Sequence, residues 1–187
     1  INPQTFSLDG IVPITNGGTG ATTANAAFTA LSAGVTLSFR NKLINALGTI
    51  NQRAYVSGVA TVGANQYTLD RWRVVTSGQN LTFSVSGIVT TMTAPAGGLE
   101  QVIEGNNIEG GVYTLSWTGT ATATVGGNAV TNGGQTISLT AGSNVTIRFT
   151  SGTVSLPQFE KATVATGFEY RHPTLELQLA RRYLPGW

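Results

Sequence analysis

The sequence of 187 residues contains no cysteine and only one histidine. Without cysteine, the chain cannot be a small secreted domain stabilised by disulfides, and it cannot bind a metal ion through thiolates. One histidine is too few for the usual zinc ligand sets. His172 stands before Pro173 in an expected turn, and no Gly-x-Ser-x-Gly motif occurs, so nothing predicts a hydrolase with a serine or cysteine nucleophile. We therefore expect a structural or merely exposed role for His172 and no metal ion or other cofactor.

Charge is also scarce, because charged residues make up 10% of the chain and the formal net charge is +2. A typical soluble domain has about 25% charged residues. The few Lys and Arg residues are scattered and form no basic stripe, so we expect no nucleic-acid partner. No apolar run has the length that is needed to cross a bilayer, so we expect no membrane insertion. A hydrophobic content of 41% together with the low net charge excludes an intrinsically disordered chain.

Glycine is abundant, with 24 residues, and Thr, Ser, Asn and Val take much of the remaining sequence. This composition excludes a coiled coil or a large helical bundle and is typical of β proteins. Short alternating segments are separated by turn signals every eight to twelve residues or so, which is the signature of a β-sandwich or jelly roll. We therefore predict an all-β fold, a jelly roll or β-sandwich, with a short helix near each end of the chain.

The sequence divides into three parts: an Asn/Gly/Thr/Ala-rich segment at 1–39, a β-sandwich domain at 40–171 and a C-terminal tail at 172–187. Two alternating segments, 70–76 and 81–86, are joined by Ser-Gly-Gln-Asn, which predicts a hairpin. The other predicted strands are 99–104, 112–118, 120–125, 136–139, 145–149 and 153–159. The chain begins with Ile1, and we expect it to be a piece of a longer protein.

A short helix is predicted in the N-terminal segment. Thr23 is a suitable N-cap, Ala27, Phe28 and Leu31 fall on one face, and Gly34 is a suitable stop. A helix of about ten residues is marginal on its own in water, so its apolar face must be buried. The residues do not decide what buries this face: it could be copies of the same chain or the domain that follows.

A second helix is predicted in the tail. Leu175, Leu179 and Tyr183 have helical spacing, Pro173 suits the first turn, and Pro185 suits the end. The Leu-x-Leu-x-Leu alternation in the same segment also permits a strand.

Carbohydrate binding suits this composition, because sugar sites combine an aromatic face with amide, carboxylate and guanidinium groups. For Trp117, as for Trp72, the alternation of its strand favours a place in the core. The loop residues are the better candidates for exposure. The candidate sugar-binding residues are Tyr55, Tyr67, Asn106, Asn107, Glu109, Tyr113 and Trp117.

Glycoside hydrolysis is the alternative, and it needs two carboxylates roughly 5–10 Å apart. Glu100 and Glu104, four apart on one predicted strand, would be separated by about 13 Å. Glu109 and Asp70 could approach from other strands, but no pattern in the sequence predicts that they do. We therefore favour glycan binding over glycoside hydrolysis.

Three groups of motifs carry a resemblance to a known family. Residues 13–26 read Pro-Ile-Thr-Asn-Gly-Gly-Thr-Gly-Ala-Thr-Thr-Ala-Asn-Ala. The opening motifs are 41–45 (Asn-Lys-Leu-Ile-Asn), 50–53 (Ile-Asn-Gln-Arg) and 67–72 (Tyr-Thr-Leu-Asp-Arg-Trp). The closing motifs are 156–161 (Leu-Pro-Gln-Phe-Glu-Lys), 165–166 (Ala-Thr) and 168–171 (Phe-Glu-Tyr-Arg), followed by 175–183. The first group resembles the Gly-Gly-Thr-Gly-Ala-Thr-Thr-Ala motif of tailed-bacteriophage fibre proteins. The others are similar to the start and end of the jelly-roll module in such proteins.

This resemblance implies a homotrimeric phage tail-fibre tip, part of the virion and exposed outside cells, that binds a bacterial surface glycan such as capsule or lipopolysaccharide. Residues 1–39 would then be a fibre-shaft or collar segment connected to the rest of the phage tail. The stripe of Ala27, Phe28 and Leu31 would form the trimer interface. The region 87–150 carries no recognised motif, and we expect it to hold host specificity. A polysaccharide depolymerase and a purely structural trimerisation module are the alternatives to a non-enzymatic binding tip.

Overall fold

The structure, a computed structural model, describes residues 39–184 and three single positions in the N-terminal segment, Ala21, Thr23 and Ala27. The chain divides into two compact units, 1–38 and 39–187. In the first unit, the N–H of Ala27 donates to the carbonyl oxygen of Thr23 at 2.9 Å, a contact of helical spacing. Phe28 and Leu31, the other two residues of the predicted interface, lie outside the described residues.

Residues 39–184 form two antiparallel sheets, numbered here by strand in chain order. One sheet has the order β1 (Gln66–Tyr67), β2 (Arg73–Val74), β5 (Leu99–Ile103), β10 (Val145–Thr150), β7 (Thr122–Val125) and β8 (Asn128–Val130). The other has the order β3 (Thr82–Ser86), β4 (Val89–Ala94), β11 (Gly152–Glu160), β6 (Thr114–Thr118) and β9 (Gly134–Gln135). The prediction of an all-β fold with a short C-terminal helix is confirmed at this level.

The pairing of the last eight strands is nested. β4 pairs with β11, β5 with β10, β6 with β9, and β7 with β8. The chain from β4 to β11 is therefore one long double-stranded ribbon, whose open end is formed by β4 and β11. Two further pairings connect successive strand pairs of this ribbon. β11 pairs with β6 in one sheet, and β10 pairs with β7 in the other.

The core contains aromatic side chains from both sheets. Trp72 is fully buried, and its ring centroid lies 6.1 Å from that of Phe149, which in turn meets Trp117 edge-on at 5.4 Å. Tyr113 stacks on Phe159 with centroids 4.9 Å apart. The core position that the alternation favours for Trp72 and Trp117 is therefore confirmed.

The hairpin predicted from 70–76 and 81–86 is wrong. β2 belongs to one sheet and β3 to the other, so the connection at 77–80 crosses between the sheets. β2 instead forms a hairpin with β1, and its turn is closed by the N–H of Thr68, which donates to the carbonyl oxygen of Trp72 at 2.9 Å. The strand predicted at 136–139 is also misplaced: β9 lies at Gly134–Gln135, and Leu139 makes only an isolated bridge to Gly111.

The C-terminal helix spans Pro173–Arg181, as the proline and the leucine spacing predict. The His172 side chain is its N-cap, since Nδ1 accepts from the N–H of Thr174 at 3.3 Å. Glu176 and Ala180 form its buried face. Within residues 39–184, no helix combines the length and the apolar character that crossing a membrane requires.

Candidate functional site

The predicted sugar-binding residues do not form one site. Asn106 and Asn107 are exposed in a single 3-10 turn, Gly105–Asn107, that follows β5. The N–H of Gly105 donates to Oδ1 of Asn144 at 2.8 Å, which ties this turn to the loop before β10. The two asparagines are therefore available to a ligand, on a fixed backbone.

Glu109 lies beyond this turn and is already bound within the protein. Nζ of Lys42 is 2.7 Å from its carboxylate, and the hydroxyl of Tyr113 lies 3.2 Å away on its other oxygen. The hydrogen bond from Lys42 is the main cause that lowers the pKa of Glu109 below its usual value. The side chain is half exposed, so a ligand would have to compete with Lys42 for the carboxylate.

Tyr113 and Trp117 lie in the core and are not accessible to a ligand. The ring of Tyr113 is fully buried against Phe159, and Trp117 is only 8% exposed beside Phe149. Neither ring has a face available for a sugar, because Trp117 on β6 and Tyr113 just before this strand both point into the core. Alternation along a strand predicts which residues share a face, and here that face is the inner one.

Tyr55 also has a structural use. Its hydroxyl donates to the carbonyl oxygen of Val59 at 2.6 Å and accepts from the N–H of Leu81 at 3.0 Å. Burial raises the pKa of this hydroxyl. The ring is half-buried and tilted against Phe83 at 6.5 Å. Tyr55 therefore fastens the loop that precedes β1 to the start of β3.

Tyr67 lies in a different environment, a small surface cavity of about 120 Å³ between the β1–β2 hairpin and the end of the C-terminal helix. We call it the Tyr67 cavity. Tyr67 is the only one of the predicted sugar-binding residues that lines it. Its lining is Arg53, Tyr67, Asp70, Arg71, Ala180, Tyr183 and Leu184.

Backbone geometry places Arg71 in this cavity. Arg71 occupies the turn between β1 and β2 with a φ of +71°, a left-handed conformation that is uncommon for a residue other than glycine. Its Nη2 donates to the carbonyl oxygen of Val102, on β5 beyond the end of β2. Its guanidinium carbon lies 3.6 Å from the centre of the Tyr183 ring. The hairpin, β5 and the helix end therefore all fix this side chain.

Arg53 and Asp70 form the other wall. The Arg53 guanidinium lies over the Tyr67 ring at 5.1 Å, and its Nη1 is 3.5 Å from Oδ1 of Asp70. Asp70 is buried and also accepts from the N–H of Gln52 at 2.9 Å. Residues of the opening motifs thus build this wall, although the motif pattern alone does not reveal that they face one opening.

Arg71 is the unusual charge of the cavity. It is 7% exposed, and its Nε is buried without a hydrogen-bond partner among the described residues. Burial lowers the pKa of this guanidinium, and its electrostatic interaction with Tyr183 is the largest of the effects that oppose the change. Burial likewise raises the pKa of Tyr183, against the influence of Arg71. The nearby carboxylate of Glu104 is bound to Nη2 of Arg182 at 2.6 Å.

The cavity therefore combines two planar cations, two tyrosines and one carboxylate. The sequence does not predict that the cavity also contains Arg53, Arg71 and Tyr183. Arg71 stands in a segment that reads as a strand, and Tyr183 has the spacing of an apolar helix face. In residues 39–184, no three His, Asp or Glu side chains come together to form a possible metal site. Comparison of the chain with protein-family profiles, curated proteins and solved structures finds no match.

Proposed function

We propose that this chain is the non-enzymatic receptor-binding tip of a tailed-phage fibre and that it binds a bacterial surface glycan, capsule or lipopolysaccharide, during adsorption to the host. The observation that carries the binding role is the Tyr67 cavity. Its tyrosines, guanidinium groups and carboxylate are the groups that sugar sites use for stacking and for hydrogen bonds to hydroxyls. The motifs at 13–26 and the opening and closing motifs support a place in the virion.

We also propose that the sandwich is a jelly roll. Support comes from the nested pairing of β4 to β11, which is the pairing of a rolled-up two-stranded ribbon of eight strands. β1 and β2 extend one sheet and β3 extends the other beyond these eight strands. In this arrangement the turn with Asn106 and Asn107 is one of the connections between the sheets, where a rigid scaffold displays recognition groups.

A homotrimer is part of the proposal, with Ala27, Phe28 and Leu31 as the interface and the rest of the phage tail joined through 1–39. Three copies would also supply affinity. One sugar hydrogen bond contributes only about 0.5–1.5 kcal/mol, so a single small cavity binds weakly and avidity strengthens attachment to a repetitive surface.

The carboxylates favour binding over hydrolysis. Seven of the eight acidic residues lie in the described part of the chain, and each is held by a cation, a backbone N–H or both. A glycosidase needs one carboxyl group to donate a proton while a second acts as nucleophile or base. In this protein the carboxylates are already engaged by partners within the fold, which supports the non-enzymatic reading over the depolymerase.

The test is binding of the purified full chain to a panel of bacterial strains, to matched strains that lack capsule or outer lipopolysaccharide, and to their extracted polysaccharides. On the strain that binds, we expect Tyr67→Ala to reduce binding about tenfold, equivalent to about 1.4 kcal/mol of lost aromatic contact. Tyr170→Ala is the matched control, because Tyr170 is 50% exposed and does not line the cavity.

The outcomes separate the alternatives. Binding that disappears with the capsule or lipopolysaccharide supports the proposal. A folded trimer that binds no strain would favour a structural module, and loss of polysaccharide viscosity on incubation would favour a depolymerase. If Tyr67→Ala binds as the parent does, while replacement of Asn106 and Asn107 by Ala abolishes binding, the site lies at the turn after β5 and the cavity is not the receptor site.

A further inference from the structure

A buried cation without a carboxylate partner is costly unless something compensates it. Arg71 is such a cation: no carboxylate of the described residues lies within ion-pair distance of it, and its Nε has no hydrogen-bond partner. Its remaining contacts are the Val102 carbonyl oxygen and the face of the Tyr183 ring. Both are neutral groups, and among the described residues the only carboxylate with a noted electrostatic effect on Arg71, that of Glu104, acts from beyond ion-pair distance.

The charged side chains in and beside the cavity sum to one positive charge. Arg53 is matched by Asp70 at 3.5 Å, and the Glu104 carboxylate near Arg71 is matched by Arg182 at 2.6 Å. Arg71 is left over. A single negative charge in the cavity would therefore neutralise it, whereas a doubly charged group would leave one excess negative charge in a cavity that Asp70 also lines.

We propose that the Tyr67 cavity is a subsite for the carboxylate of an acidic sugar, with Arg71 as the main cation that binds it. This inference rests on the proposed glycan-binding function and names the class of glycan: one that contains uronic acid or another carboxylated sugar. A guanidinium binds a carboxylate through parallel hydrogen bonds. Tyr67 and Tyr183 line the same cavity. Arg53 lies over the Tyr67 ring and Arg71 over the Tyr183 ring, so a sugar ring would contact the parts of these rings that the guanidinium groups leave exposed.

The size of the cavity agrees with this ligand. A volume of about 120 Å³ accommodates a carboxylate and part of a ring, but not an oligosaccharide, so the remainder of the glycan would lie on the surface outside. The pKa of Arg71, which burial lowers, would rise again when an anion binds, because a nearby negative charge favours the charged form. Binding of an anion would thus offset the electrostatic penalty that burial imposes on Arg71.

The test uses three probes on the isotopically labelled full chain: glucuronate, glucuronamide and glucose 6-phosphate. Glucuronamide has the same shape as glucuronate without its charge, and the phosphate carries a larger charge. Arginine Nε–H resonances are followed by NMR, where the buried Arg71 Nε–H serves as the reporter. We expect glucuronate to shift this resonance with a millimolar Kd and to bind at least tenfold more tightly than either of the other two probes.

Three variants accompany the probes. Arg53→Gln retains the Arg71 reporter and should weaken glucuronate binding severalfold, since it removes a cavity cation. Arg71→Lys keeps the charge but loses the planar donor set, and should weaken binding about tenfold by titration on the remaining cavity signals. Arg181→Gln is the matched control, because Arg181 is an exposed cation of the same helix that does not line the cavity. It should bind as the parent does.

Equal shifts with glucuronate and glucuronamide would overturn the inference, as would tighter binding of glucose 6-phosphate or no shift of Arg71 with any probe. Acetate is a fourth probe: if it binds as tightly as glucuronate, the sugar part of the inference is wrong. These failures are distinct from failure of the proposed function. The strain panel measures whether the chain binds cells at all, so cell binding that persists without a response at Arg71 would refute only the acidic-sugar subsite.

Discussion

At the scale of single residues, buried polar side chains of the motifs bind backbone groups. Asn45 is fully buried with a φ of +56°, a conformation that asparagine tolerates better than most residues. Its Nδ2 donates to the carbonyl oxygens of Ile50 and Asp70 at 2.8 and 2.9 Å, and its Oδ1 accepts from the N–H of Ile50 at 2.9 Å. Asn41 similarly accepts from the N–H of Phe159 at 3.1 Å. The opening and closing motifs therefore bind each other in space.

The contact between Lys42 and Glu109 gives a prediction for pH. The pKa of Glu109 is lowered in the folded protein, so its contribution to stability is present above the ordinary carboxyl pKa of 4.5 and is lost as pH falls through the lowered value. We expect Glu109→Gln to reduce the free energy of unfolding at pH 7 by less than about 1 kcal/mol, because the half-exposed pair is screened by water. At pH 2–3 the difference should vanish.

Urea denaturation at both pH values and one fixed protein concentration measures this difference. Asn107→Ala, in the same loop, is the uncharged control and should show no pH-dependent difference. A loss of stability that is equal at both pH values would assign the effect of Glu109 to packing or to Tyr113 instead of its charge.

At the scale of elements, the C-terminal helix is attached through a buried ion pair. Nε of Arg171 lies 2.7 Å from Oε1 of Glu176, and both side chains are less than a tenth exposed. The other carboxylate oxygen of Glu176 accepts from the N–H of Asn45 at 2.5 Å. The helix is thereby joined to the first of the opening motifs.

We expect Glu176→Ala to reduce the free energy of unfolding by about 3–5 kcal/mol, because Arg171 would remain buried without its carboxylate. Gln178→Ala, at an exposed position of the same helix, should change it by no more than about 0.5 kcal/mol. Denaturant unfolding of the two variants checks the comparison. If Glu176→Ala is as mild as the control, the helix is held by its apolar contacts alone.

This helix illustrates what could be predicted from the sequence. Its position follows from local signals, Pro173 in the first turn and the periodic leucines. The local signals do not predict which face of the helix is buried, because Leu175 and Leu179 are only half-buried while Glu176 is buried. A carboxylate becomes acceptable inside only when partners meet it. Here these are the nearby Arg171 and the backbone N–H of Asn45, which is 131 positions away and which no spacing along the chain records. The Tyr67 cavity was missed for the same reason, since it joins residues more than 100 positions apart.

At the scale of the whole molecule, we predict a homotrimer in solution. Phe28→Asp should shift the assembly toward monomer, because an unpaired carboxylate would be buried in the interface of Ala27, Phe28 and Leu31. Thr29→Asp adds the same charge off the predicted stripe and is the control. Light scattering at micromolar concentration measures the mass. A monomeric parent protein would contradict the trimer, and a trimer that survives Phe28→Asp would place the interface elsewhere.

The nested ribbon also bears on how the protein is made. β10 is the strand that joins β5 to β7 in one sheet, and β11 joins β4 to β6 in the other. Until the ribosome has released the chain as far as Glu160, neither sheet can be complete, and any strands that have already paired form two separate pieces with open edges. Open edges can pair with other chains, and pairings between distant segments form slowly. The nascent protein is therefore most exposed to aggregation just before Val145–Glu160 emerges, and the insertion of these two strands completes both sheets together.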